Sequence, residues 1–568
     1  MGIATVAVYS DDDRDAPHVR DADEAVQIDS YLDIAASVAA ARRVSAGAIH
    51  PGYGFLAENA NFATACEAAG ILFVGPRPET IRAMGSKIEA RKIAEAAGLP
   101  VMPTDGFPLL VKATAGGGGK GMRRVDRSED LDEALDAARR EAESAFGDGT
   151  LLLERYLEGA RHIEIQIFGD AQGNVIDLFE RECSVQRRHQ KIIEESPAPG
   201  LDRPTRQAMC QAAVALCRAI SFSGAGTVEF LVAPSGEFFF LEVNTRIQVE
   251  HPVTEMITGL DLVRMQIDTA EGRPLDLSNL RTTGHAIEAR LYAEDPTNDF
   301  LPATGKVLLW RPPDNVRVES GIEAGSEVGI AYDPLLAKII ALGRDRDDAI
   351  RKLRHALQVT RVHGVVTNRE FLIRVLDHHD FSPGPVHTSW SIPFQPDRSE
   401  EALHRAALDA YRMARIQAGR KTLPNVPAAY RNNPWPPVET QPEVRMLSAL
   451  PDQLRADIDG IQHTFDISED DHHWWIGNYI FPKVSRYPSP ESTDAREAAS
   501  SPMPGKVLRI LVEQGADVQA GQALVVLEAM KMEQTVRAHS AGKIAAILVK
   551  VGDVVAPGQS LIQMGEET

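Results

Sequence analysis

Two glutamates stand where a turn would bring them face to face. Thr227-Val228-Glu229-Phe230-Leu231-Val232 and Phe238-Phe239-Phe240-Leu241-Glu242-Val243 both read as strands, and Pro234-Ser235-Gly236 between them supplies the turn. A hairpin centred there sets Glu229 opposite, or nearly opposite, Glu242. Like charges facing across a hairpin destabilise it unless something neutralises them. Carboxylates so paired suit Mg²⁺ or Mn²⁺ bridging phosphates, and Asn244 could add a ligand. A pair of solvated surface glutamates is the plainer reading, but the aromatic and aliphatic flanks disfavour it. Charged and apolar residues then alternate through Asn244-Thr245-Arg246-Ile247-Gln248-Val249-Glu250-His251-Pro252. Arg246, with Lys191, could bind a small anion such as bicarbonate, and Glu250 could remove its proton.

A second chemical feature is a glycine loop. Leu109-Leu110-Val111-Lys112-Ala113 reads as a strand and leads into Gly116-Gly117-Gly118-Gly119-Lys120-Gly121, whose free backbone N–H groups could wrap phosphates. A P-loop is excluded because Gly121, not Ser or Thr, follows Lys120. A dinucleotide fingerprint fails on context, since Arg123-Arg124-Val125 reads as a strand rather than a helix. Strand, glycine loop and strand make a hairpin lid.

The third is Lys531, in Glu528-Ala529-Met530-Lys531-Met532. It lies between two copies of one pattern, with glycines at 505, 515, 521 and at 542, 552, 558, a constant offset of 37. Two strand–turn–strand copies predict a small two-fold antiparallel sandwich, with each glycine at a turn needing positive φ and Lys531 on an exposed hairpin between the copies. Methionines flanking an exposed turn suit a recognition surface better than a core.

The elements that must position these residues are spread over 568 residues, enough for several domains. Ile3 to Tyr9 reads as a strand, Tyr31 to Val44 as a helix, and His50 to Asn59 as a Gly- and Pro-punctuated loop leading into another helix. Ligands sit at such loops in open α/β sheets. Lys plus Arg minus Asp plus Glu is 60 − 81 = −21. That balance argues against nucleic acid and against an anionic membrane surface. No apolar run approaches the ~20 residues of a membrane span, and no signal peptide is evident at the N-terminus. Cys66, Cys183, Cys210 and Cys217 are too few for a disulfide framework and fit reduced thiols, in the cytoplasm or, if a targeting segment is removed, the mitochondrial matrix.

Taken with its repeat, Ala529-Met530-Lys531-Met532 resembles the biotin-carrier domain of biotin-dependent carboxylases, which implies biotin on Lys531. The glycine hairpin resembles the lid of the ATP-grasp fold. The run from Asn244 to Pro252 is similar to the biotin-carboxylase and carbamoyl-phosphate class of that fold. Gly284-His285-Ala286-Ile287-Glu288-Ala289-Arg290-Leu291-Tyr292 narrows it to biotin carboxylase, with Tyr332 to Lys338 and Gly364 to Asn368 continuing the match. The resemblance implies ATP held by Lys87, Lys112, Gly118, Gly119, Glu154, Leu157, His162, Gln186 and His189. It implies Gln248 and Val249 at the cofactor site, Tyr53 against biotin, Lys191 on bicarbonate, and Arg290 stabilising the biotin enolate. The basic run Gln186 to Lys191 is accordingly expected to form a local anion site.

The resemblance implies a multidomain α/β chain. Residues 1–84 form an α/β domain lacking the family's first βα unit, and 85–275 an ATP-grasp domain with its lid at 106–156. That lid lacks roughly two dozen residues that the family carries between Pro103 and Asp105. The biotin carboxylase C-terminal domain follows at 276–390, a small α+β partner-docking region at 391–487, a linker at 488–501 and an all-β biotinyl domain at 502–566. The implied function is that of an acyl-CoA carboxylase α subunit. ATP activates bicarbonate as carboxyphosphate, and the resulting CO₂ carboxylates biotin. The carboxyl group then passes to acyl-CoA on a separate carboxyltransferase β subunit. Biotin protein ligase would modify Lys531, and the chain would form a homo-oligomer within an αβ hetero-oligomer. The alternatives are an impaired carrier or scaffold subunit and a lipoyl-type carrier fused to an unrelated ligase. Methionine on both sides of Lys531 disfavours lipoate.

Overall fold

The computed structural model describes residues 1–114, 122–275, 280–419, 444–483, 499–530 and 532–565. Its framework is one eight-stranded sheet built from β1 (Arg161–Gly169), β2 (Val175–Arg187), β3 (Gln190–Ser196), β4 (Gly224–Val232), β5 (Phe238–Asn244), β6 (His285–Tyr292), β7 (Arg317–Ser320) and β8 (Leu335–Gly343). The spatial order is β5-β4-β1-β2-β3-β6-β8-β7. The pairing of β3 with β6 carries the sheet across the boundary expected between residues 275 and 276. The two expected domains therefore share a backbone ladder.

Residues of both faces of this sheet are buried, so the many charged and polar side chains that its strands carry call for partners inside the protein. Helix Arg203–Ala219 is capped by the Asp202 carboxylate, which accepts from Thr205 N. Its Met209, Ala213, Leu216 and Cys217 pack with Ile163, Ile165, Val228 and Phe230 of the sheet. Helix Arg346–Val359 covers the β6–β8 end through Ala349, Leu353 and Leu357. All four cysteines are free and buried, Cys210 and Cys217 on one helix as the seven-residue spacing implies.

The N-terminal part holds two parallel strand pairs, Val6–Tyr9 with Glu24–Gln27 and Ala48–Ile49 with Leu72–Phe73. The first strand is shorter than the expected 3–9. The helix expected from Tyr31 runs only over Ile34–Arg43, because the Asp33 side chain accepts from Ala36 N and starts it there. The short connection at residues 103–108 is closed by Arg155, whose N and Nε donate to Pro103 O (2.7 Å) and Asp105 O (3.0 Å). Leu109–Ala113 pairs with Arg123–Val125 on one side and Leu151–Arg155 on the other, the expected hairpin. Its tip, including Gly118, Gly119 and Lys120, lies outside the described residues.

Helix Glu401–Gly419 and a five-stranded antiparallel sheet over residues 444–482 make up the described part of the expected docking region, with Tyr411, Phe465 and Phe481 in its core. The C-terminal repeat folds as two four-stranded sheets. Three expectations change there. Gly515, Gly521, Gly552 and Gly558 take positive φ, but Gly505 and Gly542 do not. These two are strand residues chosen for space, since a Cβ on Gly505 would come within 2.9 Å of Glu528 O. Ala499–Ser500 is not linker but a strand on Ser560–Met564, because Ala499 completes the apolar core. Finally, the hairpin before Lys531 is not exposed. Met530 is buried at φ 48°, and its N–H donates to Ile330 O at 3.1 Å. Ile330 and Leu301 join the carrier core, so the carrier rests on the carboxylase part. Lys531 itself, and 488–498 of the expected linker, lie outside the described residues.

Candidate active site

Glu229 and Glu242 are direct partners in the β4–β5 register, with a bulge just beyond them. The sequence reading of this hairpin holds to the residue. β1 adds a third carboxylate to the row, since Glu164 pairs with Glu229 from the other side. Three facing carboxylates demand cations. Lys191 is the first, its Nζ donating to Glu164 (2.7 Å), Glu229 (3.0 Å) and Glu250 (2.6 Å). Burial works against its charge, but these three anions outweigh that and hold it protonated well beyond the usual lysine range.

Arg181 is the second cation and is completely buried. Its Nε donates to Glu164 at 2.5 Å, Nη1 to Gln166 (2.5 Å) and Thr254 (3.0 Å), and Nη2 to Thr227 (3.1 Å) and Gln248 (3.0 Å). Gln248 then donates to Glu229 at 2.7 Å, so its side chain joins the two layers. Neither Glu164 nor Arg181 was singled out from sequence. The signal for Glu164 was present, because alternation puts His162, Glu164 and Gln166 on one face of β1.

Glu250 sits at the N-terminus of helix His251–Thr258, where Pro252 fits the first turn. Arg290 on β6 reaches Glu250 at 2.9 Å and Glu194 at 2.5 Å. Burial raises the Glu250 carboxyl, yet Lys191, Arg290 and Arg181 reverse this and hold it well below the usual range. A base kept ionised between two cations, at the edge of a cleft, can accept a proton from an anion those cations bind. Arg246 is aimed by Glu58, whose carboxylate accepts from its Nε at 3.0 Å and from Thr245 N at 3.0 Å. Arg246 Nη2 also donates to Asn244 Oδ1 at 3.0 Å.

Glu229 accepts from Asn244 Nδ2 (2.9 Å), and His162 Nε2 lies 2.8 Å from its other oxygen. Burial raises its carboxyl, but Lys191 and His162 hold it ionised well below the usual range. Glu242 faces the cleft and differs. Burial first, then the facing Glu229, push its carboxyl up. Lys191 and Lys87 pull the other way without reversing this, and two adjoining carboxylates at the cleft fit the expected divalent cation with Glu229, Glu242 and Asn244 as its donors.

A single cleft of about 1400 Å³ gathers every described residue expected at the site, from Tyr53, Lys87 and Leu157 to Val249 and Arg290. Some of these residues meet one another. Lys112 Nζ donates to Glu154 at 2.5 Å, Gln186 Nε2 lies 2.9 Å from His162 Nδ1, and Val249 O accepts from Lys338 at 2.8 Å. Lys87 Nζ donates to Ala113 O at 3.1 Å. The basic run divides, contrary to the single anion site expected. Gln186, His189 and Lys191 line the cleft, whereas Arg187 and Arg188 pair with Glu294 and Asp299. The turn at Arg188 and His189, both at positive φ, falls where the run changes sides. Opposite, Tyr332 meets Ser10 and packs on Tyr31 and Phe55 (ring centroids 5.6 and 5.7 Å).

Four family descriptions match the chain in sequence order. They are the biotin carboxylase N-terminal domain (residues 1–81), the carbamoyl-phosphate synthase L chain ATP-binding domain (79–278), the biotin carboxylase C-terminal domain (288–391) and the biotin-requiring enzyme domain (497–564). The chain is 40% identical to the mitochondrial methylcrotonoyl-CoA carboxylase subunit alpha of Oryza sativa, over 95% of this chain and 88% of that protein. It is 38% identical to the propionyl-CoA carboxylase alpha chain of Ruegeria pomeroyi, over 95% and 93%. Among solved structures, it is similar to a Campylobacter jejuni biotin carboxylase–ATP-analogue complex, with TM-score 0.67, 41% identity, and coverage of 69% of this chain and 93% of that one.

Proposed function

Because the chain belongs to the α subunits of the biotin-dependent acyl-CoA carboxylases, we propose a division of labour among the residues of its cleft. The activity of the family is ATP- and bicarbonate-dependent carboxylation of biotin, completed with a carboxyltransferase subunit. Lys191 and Arg246 hold bicarbonate, and Glu250 takes its proton. Lys191 and Arg290 keep Glu250 ionised for that task and stabilise the charge that develops beside it. Lys87, Lys112, His162, Gln186 and His189, with the glycines of the lid, hold the nucleotide. Glu229, Glu242 and Asn244 would hold Mg²⁺ or Mn²⁺, whose charge offsets that of the phosphates. Biotin, attached to Lys531 by biotin protein ligase, supplies the nitrogen that takes up the carboxyl group. Arg290 and Tyr53 receive its ring. We divide the chain at the expected limits, with the carrier beginning by Ala499. Residues 401–482 dock the partner, and the α subunits associate with one another in the holoenzyme. Among the described residues no helix is long and apolar enough to cross a membrane, and four buried free thiols fit the cytoplasm or the mitochondrial matrix.

The observation that carries this reading is the meeting of Lys191, Arg290 and Glu250 within 2.9 Å, beside the Glu229–Glu242 pair. It also favours a working enzyme over an impaired scaffold. The test is ATP cleavage by the purified chain with and without bicarbonate and biotin, alongside its intact mass. Cleavage that needs both, and a biotin increment absent from Lys531→Ala, are expected. Cleavage indifferent to bicarbonate would overturn the assignment.

A further inference from the structure

β6 carries a second facing glutamate pair that the roles above leave unused. Glu288 is the direct register partner of Glu194 on β3, and both are fully buried. Neither carboxylate oxygen of Glu288 has a hydrogen-bond partner among the described residues. Alternation puts Ala286, Glu288 and Arg290 on one face. Helix His251–Thr258 covers that face, with Val253 and Ile257 packed on Ala286 and Ile340.

The charged and titratable groups on that face are few, and their charges are already engaged. Arg290 contacts Glu194 and Glu250. Lys338 on β8 donates to Val249 O and pairs with Glu319. Lys191, on the strand of Glu194, is shared by Glu164, Glu229 and Glu250. On the helix, Glu255 pairs with Arg317 at 2.7 Å, and burial holds the His251 imidazole down to about 4, so it is neutral at pH 7. Glu288 thus faces an anionic strand partner with no ion pair of its own among the described residues. An unpaired buried carboxylate is far costlier than its neutral acid, and the facing Glu194 adds a like charge.

We propose that Glu288 is a protonated carboxylic acid that positions Arg290, by offering its proton to Glu194 and so holding the Glu194 carboxylate on the guanidinium without adding a second charge. The environment works in the same direction. Burial pushes the Glu288 carboxyl well above the usual range, and pushes Glu194 up to about 7. The inference rests on the reading of Arg290 as a biotin-side residue. Its consequence is directional. Ionising Glu288 at alkaline pH places a second anion behind Arg290 and draws it from the cleft, so biotin-dependent turnover falls as Glu288 loses its proton.

The test compares wild type with Glu288→Gln by infrared difference spectroscopy and by the pH profile of biotin-dependent ATP cleavage. A carboxylic-acid carbonyl band is expected in the wild type at pH near neutral. It should be absent from the variant and fade from the wild type on alkaline titration. One pH unit above that midpoint the wild type should have lost roughly tenfold of its biotin-dependent rate. Glu288→Gln, which cannot ionise, should have lost less than about twofold of its own maximum. The proposal is overturned if no band is removed by the substitution, or if the two pH profiles superimpose. Should the variant not fold, the wild-type band decides alone, and a spectrum without a carboxylic-acid band that titrates alongside activity rejects the proposal. The infrared readout needs no turnover, so it judges the protonation separately from the assigned function.

Discussion

Arg181 offers the most demanding test of how the site is held. It never touches the cleft, yet its five donors satisfy Glu164, Gln166, Thr254, Thr227 and Gln248 at zero exposure. Replacing it with Met conserves bulk but leaves the Glu164 carboxylate with Lys191 alone, which Glu229 and Glu250 also claim. Breaking a buried ion pair by deleting one partner costs about 3–5 kcal/mol. For a unit of this size that moves its melting point by about 5 °C. Arg181→Lys retains the charge and three donors, so at least two of the four neutral acceptors or the Glu164 bond must go unserved, at about 1–3 kcal/mol each. Calorimetry is the assay, read on the carboxylase transition. Its expected order is wild type, Lys, then Met. Turnover should fall with it, since Gln248 and Glu164 orient Glu229 and Lys191. A loss below about 1 kcal/mol in Arg181→Met would refute the reading of this guanidinium as the hub of the carboxylate row.

Three further outcomes follow from the same geometry. Glu242→Gln removes the carboxyl that burial and Glu229 have already raised, so the apparent affinity for Mg²⁺ should drop roughly tenfold or more while the fold survives, as read from metal titration of ATP cleavage. Ile330→Asp puts a charge under Met530 and into the carrier core. Hydrogen exchange should then quicken over 523–538 and 298–303, and transfer to the chain's own carrier should fall more than ATP cleavage with free biotin. Glu195 is bound by His285 at 2.7 Å and Arg346 at 2.6 and 2.9 Å. Burial opposes its charge, but these two donors win and hold the carboxyl below its usual range. A depressed carboxyl adds stability above its unfolded value, about 4.3, that disappears as pH falls through the folded value. Glu195→Gln should therefore be less stable than wild type at pH 7, and the gap should narrow below about pH 4, measured by thermal melts across that range.

Several features of the site were legible in local chemistry. The Glu229–Glu242 register was readable because a short turn leaves the hairpin one arrangement. The excluded P-loop and the lid hairpin were readable from which residues follow the glycines. The carrier repeat was readable from its constant offset, although glycine spacing alone did not separate the four turn glycines from the two packing ones. Helix limits shifted by a few residues where a cap such as Asp33 decided them.

What sequence by itself determined, then, were the features that depend on neighbours along the chain: alternation, turn chemistry, and motifs whose residue order carries their meaning. Tertiary structure alone decided which cation serves which anion. Glu58 aims Arg246 from 188 positions away, and Arg290 bridges carboxylates from two other elements. The same is true of Met530, which reads as exposed on its own hairpin and is buried only because Ile330 lies against it. The physical reason is that side-chain direction within a strand follows a period of two. Which strands become neighbours follows instead from the crossover order, which sets β3 beside β6 and makes one sheet of two expected domains.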